Sequence, residues 1–271
     1  MKKTILPVMV SGVLAMGSVP AVAAGSCDKL PGFDEVESAL VAAVAADENG
    51  LNNDMWGTVV DRDGTVCVVT RSGAERGDQW PGSRVISAQK ANTANAFSLP
   101  AGAGGLVPGL SLSTANLYSA VQPGGSLFGL QESNPVDTKN AYRGSGKSYG
   151  KKSDNLVGKK VGGVNVFGGG LALYNENGEL LGALGVSGDT SCRDHIIAWM
   201  TRDALGFDHV LTGVSPTGDD NLTLDTFRDE FTGHTVSEFG FGHPSCGFGE
   251  EPAIEDLPNS FPIGENETTE T

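Results

Sequence analysis

Apolar residues recur along this chain with two periods, one typical of helices and one typical of strands. Residues 34–48 have the helical period, and the Asn49-Gly50 pair that follows is a helix stop. Two β-branched runs, 55–60 and 65–70, flank a turn that ends in Asp63-Gly64, which predicts a β-hairpin. The predicted first helix buries four apolar positions: Val36, Leu40, Val41 and Val44.

Later segments repeat these patterns. An alanine-rich stretch at 87–99 predicts a second helix, whose small side chains would let its backbone approach a sheet closely. Residues 171–174 and 180–186 predict a second hairpin. Thr190 or Ser191 then caps a third helix that ends before Gly206, with Asp194 placed for a capping box. Because strands and helices do not alternate one to one, we predict a single α+β domain with an antiparallel sheet.

The first 24 residues have the parts of a cleavable secretion signal. Lys2 and Lys3 precede an apolar stretch from 5 to 19, and small residues offer cleavage after Ala23 or Ala24. The stretch is too short to span a bilayer comfortably, and no later segment reaches about eighteen unbroken apolar residues. We therefore expect a periplasmic or secreted protein whose soluble mature form has no membrane span.

The formal charge is −15 at pH 7, so the surface is acidic overall. Such a surface repels phosphate backbones, and nucleic-acid binding is not expected. One basic run interrupts the acidity at 147–160, and it is either solvated surface or a dock for carboxylates. Residues 250–271 are acidic, polar and contain proline, which predicts a disordered tail.

All four cysteines follow the predicted cleavage site. An even number in an oxidising compartment indicates two disulfides, and three pairings are possible. We predict Cys192–Cys246, because the segment with Cys246 could fold back over the start of the third helix. We also predict Cys27–Cys67, because the first helix would return the chain near that strand.

Two segments resemble a known family. Residues 87–97 read S-A-Q-K-A-N-T-A-N-A-F and are similar to the S-x-x-K-A-x-T-A-x-x-F helix of the GlcG/HbpS-like haem-binding family. Residues 168–188 resemble its G-G-x-P-hairpin-G-A-I-G-V-S-G signature, without the proline. The resemblance covers about 34–205. It implies a profilin-like antiparallel sheet with flanking helices, oligomers in many members, and haem or a related tetrapyrrole as the ligand.

The chain departs from this family pattern in three ways. It has a long glycine-rich insertion at about 106–162, four cysteines, and an extension beyond Gly206. Residues 100–170 are rich in Gly, Pro, Ser and Asn, which predicts an irregular segment of the kind that forms binding loops, lids or oligomer contacts.

We divide the chain into a signal peptide (1–24), the α+β domain (25–249) and the tail (250–271).

Haem needs an apolar slot, cations for its two propionates and usually an axial ligand to iron. Lys90, on the matched helix, is the predicted propionate partner, with an ordinary solvated lysine as the alternative. His195, in the third helix, and His243, in a rigid Gly-His-Pro segment, are the predicted axial ligands. For each histidine the alternative is a packing or hydrogen-bonding role. The predicted haem lies between helix 87–99 and the glycine-rich loop.

The leading functional expectation is non-catalytic binding of haem or a similar tetrapyrrole outside the cytoplasm. One alternative is an enzyme that degrades haem or uses its iron in peroxidase-like chemistry. Another is a structural or accessory subunit whose glycine-rich loops contact a partner. A homo-oligomer is compatible with each of these.

Overall fold

A computed structural model describes residues 26–264. The predicted signal peptide and residues 265–271 of the predicted tail lie outside the described residues. Three 3₁₀ turns occupy Cys27–Lys29, Ala115–Leu117 and Gly146–Ser148. The helices and strands follow in this order: α1 (Phe33–Ala46), β1 (Trp56–Asp61), β2 (Val66–Arg71), α2 (Ser83–Phe97), α3 (Tyr118–Val121), α4 (Leu130–Ser133), α5 (Thr138–Ala141), β3 (Gly170–Tyr174), β4 (Leu180–Ser187), α6 (Ser191–Leu205), β5 (Thr226–Arg228), β6 (Thr235–Ser237) and α7 (Glu251–Ser260).

The central sheet has four antiparallel strands in the order β2-β1-β4-β3. The two predicted hairpins form its halves, and they join where β1 pairs with β4, with Thr58 opposite Gly185. A separate small hairpin consists of β5 and β6. The predicted α+β class, an antiparallel sheet with flanking helices, is confirmed.

Both faces of the sheet are buried, and adjacent residues of one strand serve different cores. Val59 and Leu184 belong to the core that contains α1, α6 and α7. Their chain neighbours Val60 and Ala183 belong to the core that contains α2. This alternation is the strand period of two, with apolar residues at both positions because helices cover both faces.

Helix α2 lies unusually close to β4, as its small side chains predict. A Cβ atom added to Gly185 would come within 2.0 Å of the Ser87 carbonyl oxygen. The helix face toward the sheet is made of Ala88, Ala91 and Ala94, all with no exposed surface. Any side chain at position 185 would therefore push the helix away from the sheet.

The long insertion is mostly irregular, with only short helices, and a buried ion pair fastens it to α2. Arg84 Nε donates to Asp154 Oδ2 at 2.9 Å, and both side chains are almost fully buried. Asp154 also accepts the N–H groups of Gly150 and Leu156, at 2.8 and 2.9 Å. The basic run at 147–160 is therefore held in a defined position beside the start of α2.

Two disulfides connect the described chain in the predicted pairs. Cys27 is bonded to Cys67 on β2, and Cys192 on α6 is bonded to Cys246. They close loops with separations of 40 and 54 residues, respectively. Loops of this length add about 3 to 4 kcal/mol of stability in the chain-entropy model.

The predicted disordered tail is wrong over residues 250–264. This stretch contains α7, and its Ile254 and Leu257 are each 2% exposed in the core beside α6. The segment is held further by Trp199, whose indole N–H donates to the Phe261 carbonyl at 3.0 Å. Two buried apolar side chains one turn apart anchor this short acidic helix, and averages of composition over the segment hide them.

Within residues 26–264, no helix combines the length and the apolar character that crossing a membrane would need.

Candidate functional site

Lys90, the predicted propionate partner, has no exposed surface. Its Nζ donates to Asp194 Oδ2 at 2.6 Å and to the Val186 carbonyl oxygen at 3.0 Å. Burial lowers the pKa of Lys90, and the Asp194 carboxylate opposes that shift. The structure does not present Lys90 to an external propionate, because the ammonium is enclosed and already paired with a buried carboxylate.

Asp194 connects this ion pair to the turn between β4 and α6. Its Oδ1 accepts the N–H groups of Gly188 and Asp189 at 3.0 and 2.9 Å. Burial raises the pKa of Asp194 to about 6, an effect that the adjacent ammonium limits. The predicted capping-box role for Asp194 is wrong, since the α6 N-cap is Thr190, which accepts the N–H of Arg193.

His195, one predicted axial ligand, has no exposed surface. Its Nε2 accepts the Leu222 N–H at 3.1 Å, so the proton of the neutral ring lies on Nδ1. Nδ1 has no hydrogen-bond partner in the part of the chain that the structure describes. Burial lowers the pKa of His195 to about 3, so the ring is neutral at physiological pH. The ring is thus a packed core residue with one unsatisfied donor.

His243, the other predicted axial ligand, is 2% exposed. Its Nδ1 lies 2.7 Å from the Pro244 carbonyl oxygen, and its Nε2 lies 2.7 Å from Ser191 Oγ. Because a carbonyl can only accept, Nδ1 carries the proton and the Ser191 hydroxyl donates to Nε2. Burial lowers the pKa of His243 to about 4. Both ring nitrogens therefore have internal partners.

The three predicted site residues thus meet around the first turns of α6. Lys90 binds Asp194, His243 binds Ser191, and His195 lies on the helix itself. The sequence located a cluster of polar side chains, but the structure makes it part of the interior and leaves no open slot among those three.

An open cleft of about 760 Å³ lies where the first half of α1, the end of β2 and the 150–153 turn meet. Phe33 and Val41 form its apolar wall. The helical pattern placed Val41 on the buried face of α1, which is wrong, since it is 42% exposed. An exposed valine beside a phenylalanine gives the cleft an apolar surface.

Three cations line the same cleft: Arg71, Lys151 and Lys152. An adjoining cavity of about 280 Å³ shares Arg71 and Lys151 and adds Arg76 and Lys147. Three of these five residues belong to the basic run at 147–160. Gathering them at a concave surface focuses a positive potential on an otherwise acidic protein.

The cations of the cleft form only weak interactions with other groups of the protein. Lys152 Nζ lies 2.6 Å from Asp34 Oδ2, but the side chains are 65% and 74% exposed, and such pairs contribute at most about 1 kcal/mol. The Arg71 guanidinium donates to the neutral Gly73 carbonyl oxygen, while its Nε is shielded from solvent and has no partner among the described residues. One carboxylate, that of Glu37, also lines the cleft. An incoming anion could therefore replace Asp34 at little cost.

The sequence identified half of this cleft. The density of lysines marked 147–160 as a possible carboxylate dock, and the structure places Lys151 and Lys152 there. The other wall was missed, because Arg71 ends a strand and Phe33 begins a helix more than seventy positions before the basic run. Their meeting depends on how the insertion folds back, which no local pattern encodes.

A protein-family model described as haem degrading protein HbpS-like matches residues 33–201, more than half of the chain. A solved PduOC–haem complex is 24% identical, with a TM-score of 0.42, over 64% of this chain and 90% of that one. Klebsiella pneumoniae ORFY, of family DUF336, is 24% identical, with a TM-score of 0.43, over 70% and 96%. A double mutant of Streptomyces reticuli HbpS is 17% identical, with a TM-score of 0.42, over 75% and 99%.

Similarities at such TM-scores are too low to carry a functional argument, and no curated protein matches the chain. The family match, in contrast, spans both segments from which the resemblance was drawn, the α2 motif and the hairpin that leads into α6. The chain therefore belongs to the HbpS-like family.

Proposed function

We propose that this chain is an exported protein that binds haem or a related tetrapyrrole in the cleft between α1, β2 and the 150–153 turn, without transforming it. The observation that carries the proposal is the gathering of cations beside an apolar wall on a chain of formal charge −15. Haem combines a flat apolar ring with two carboxylates, so a site for it needs both features.

The dimensions and chemistry of the cleft suit such a ligand. Small-molecule sites commonly have volumes of roughly 300–1,000 Å³, and the cleft is about 760 Å³. Lys151 and Lys152 supply charge for the propionates, and the guanidinium of Arg71 suits a carboxylate. Phe33 and Val41 offer a surface on which the ring can lie.

The cleft offers little to iron. Among the described residues that line it there is no His, Met, Cys or Tyr. The two histidines of the α6 cluster are buried and held by protein groups. We therefore expect the propionates and the ring to provide most of the affinity, with a minor contribution from the metal.

The test is a pair of titrations that compare hemin with iron-free protoporphyrin, followed by absorbance and tryptophan fluorescence. Both should bind with one site per chain, and their binding free energies should differ by less than about 1 kcal/mol, or roughly fivefold in Kd. Binding of hemin alone, with a Soret shift that His195→Gln or His243→Gln abolishes in a folded protein, would show that the site is the α6 cluster.

Haem degradation is the second candidate, favoured by the description of the matching family. If the protein does not degrade haem, its bound hemin should keep the Soret band when a reductant is added in air. The band of free hemin under the same conditions provides the reference rate of loss. Faster loss of the band in the protein sample would identify an enzyme.

If neither hemin nor protoporphyrin binds, a structural subunit that uses the 106–162 loops becomes the better account, and light scattering would then define its oligomeric state.

Export is supported by the two disulfides, since such bonds persist mainly in oxidising compartments. The mature chain should begin at Ala24 or Gly25. Intact mass of secreted material checks this, and a retained Met1 would contradict it.

A further inference from the structure

The Cys192–Cys246 disulfide lies beside the imidazole of His243. The ligand atoms of Cys192, His243 and Cys246 all lie within 4.8 Å of one another. We propose that reduction of this disulfide converts the cluster into a site for a borderline divalent cation such as Zn²⁺, bound by two thiolates and one imidazole. This site is separate from the haem cleft and does not depend on it.

The imidazole has the hydrogen bonding that metal-bound histidines use. His243 donates from Nδ1 to the Pro244 carbonyl oxygen, which fixes the ring and leaves the lone pair on Nε2. That lone pair now accepts the Ser191 hydroxyl. A cation would replace one hydroxyl proton, without any change of tautomer.

The two sulfur atoms differ in a way that suits reduction by a dithiol. Cys246 is partly exposed, whereas Cys192 is buried at the second residue of α6. A thiolate of the dithiol attacks Cys246 Sγ, the S–S bond breaks, and its electron pair leaves on Cys192 Sγ. The second thiol of the reductant then releases Cys246. The dithiol ends as a disulfide, and its two protons pass to the two cysteines.

Backbone groups favour negative charge on both sulfur atoms, which offsets part of the cost of burying Cys192. The N-terminal end of α6 favours negative charge at Cys192, and the Cys192 N–H already points at Cys246 Sγ, at 3.1 Å. Binding of Zn²⁺ then releases two thiol protons to solvent. Ligands of tetrahedral zinc lie roughly 3.3–3.8 Å apart, so the cluster needs only small movements once the S–S bond has opened. Three protein ligands leave a fourth position for water.

The other disulfide provides a matched control. Asp61 lies within the same distance of Cys27 and Cys67. However, Asp61 Oδ1 already accepts the N–H groups of Asp63 and Thr65 in the β1–β2 turn, and the group lacks an imidazole. We therefore expect selective metal binding at the α6 cluster.

The experiment uses Co²⁺, whose thiolate charge-transfer absorption reports the ligands. A Cys27→Ser, Cys67→Ser chain is reduced with dithiothreitol, freed of reductant without air, and titrated. One Co²⁺ per reduced chain should bind with intense charge-transfer absorption, and the oxidised chain should show none. His243→Gln should weaken binding at least about tenfold. The reciprocal Cys192→Ser, Cys246→Ser chain should show no such absorption after reduction.

Three results would overturn the proposal: equal absorption from the reciprocal chain, absorption from the oxidised chain, or a reduced and folded chain that binds no Co²⁺. Far-UV circular dichroism is recorded throughout. If reduction unfolds the chain, one equivalent of Co²⁺ should restore the fold, and failure to restore it also contradicts the proposal.

Discussion

Lys90 and Lys152 both lie opposite an aspartate at 2.6 Å, yet their environments are opposite. The Lys90–Asp194 pair is in the interior, with side chains 0% and 3% exposed. The Lys152–Asp34 pair is in solvent at the edge of the cleft. The two pairs therefore have different roles although their distances are equal. The buried pair fixes the fold, whereas the lysine of the exposed pair can exchange its aspartate for a ligand.

The interior pair should account for the larger effect on stability. Lys90→Ala leaves the Asp194 carboxylate buried without its counter-charge, and we expect a loss of about 3 to 5 kcal/mol in the free energy of unfolding. Lys152→Ala should change it by less than about 1 kcal/mol. Urea denaturation with the disulfides intact measures both. Similar losses for the two variants would show that the contrast between the pairs is wrong.

The buried histidines make stability depend on pH. His195 and His243 have folded-state pKa values of about 3 and about 4, below the ordinary value near 6.5. The unfolded chain therefore binds more protons between about pH 6.5 and 4, and stability falls as the pH decreases through that range. Asp194, with its pKa raised to about 6, acts in the opposite direction and removes part of the slope.

His243→Gln isolates one of these contributions. The variant should lose less stability on acidification than the wild-type chain, by up to about 1.4 kcal/mol per pH unit between about pH 6 and 4. Urea midpoints at several pH values provide the measurement. Parallel pH profiles for the two proteins would mean that the pKa of His243 is the same in the folded and the unfolded chain.

Removing the aspartate of the exposed pair should strengthen hemin binding, and this effect should be smaller than the losses of stability above. Asp34→Asn removes the carboxylate that competes for Lys152, so hemin affinity should rise by up to about 1 kcal/mol, or roughly fivefold. Stability should change by less than about 0.5 kcal/mol, since the residue is exposed. Fluorescence titration is sensitive enough, and weaker binding would indicate that Asp34 itself contacts the ligand.

The fold was largely predictable because its helices and hairpins are encoded locally. The α2 motif, both Asp-Gly and Asn-Gly turns, and the Thr190 cap fall within a few residues of their predicted places. Helix α7 was missed because its two anchoring apolar residues lie in an acidic segment. The burial of Lys90 was missed for another reason. Its partner Asp194 is 104 positions away, and no sequence pattern shows that a lysine will be buried.

The most direct test of the cleft compares two variants with the same loss of charge. Lys151→Ala, Lys152→Ala removes two cations from the cleft, whereas Lys139→Ala, Lys160→Ala removes two exposed cations elsewhere. In hemin titrations the first variant should bind roughly two- to thirtyfold more weakly than wild type, and the second should match wild type. Equal weakening of both would show a general charge effect, and no weakening of the first would contradict the cleft as the binding site.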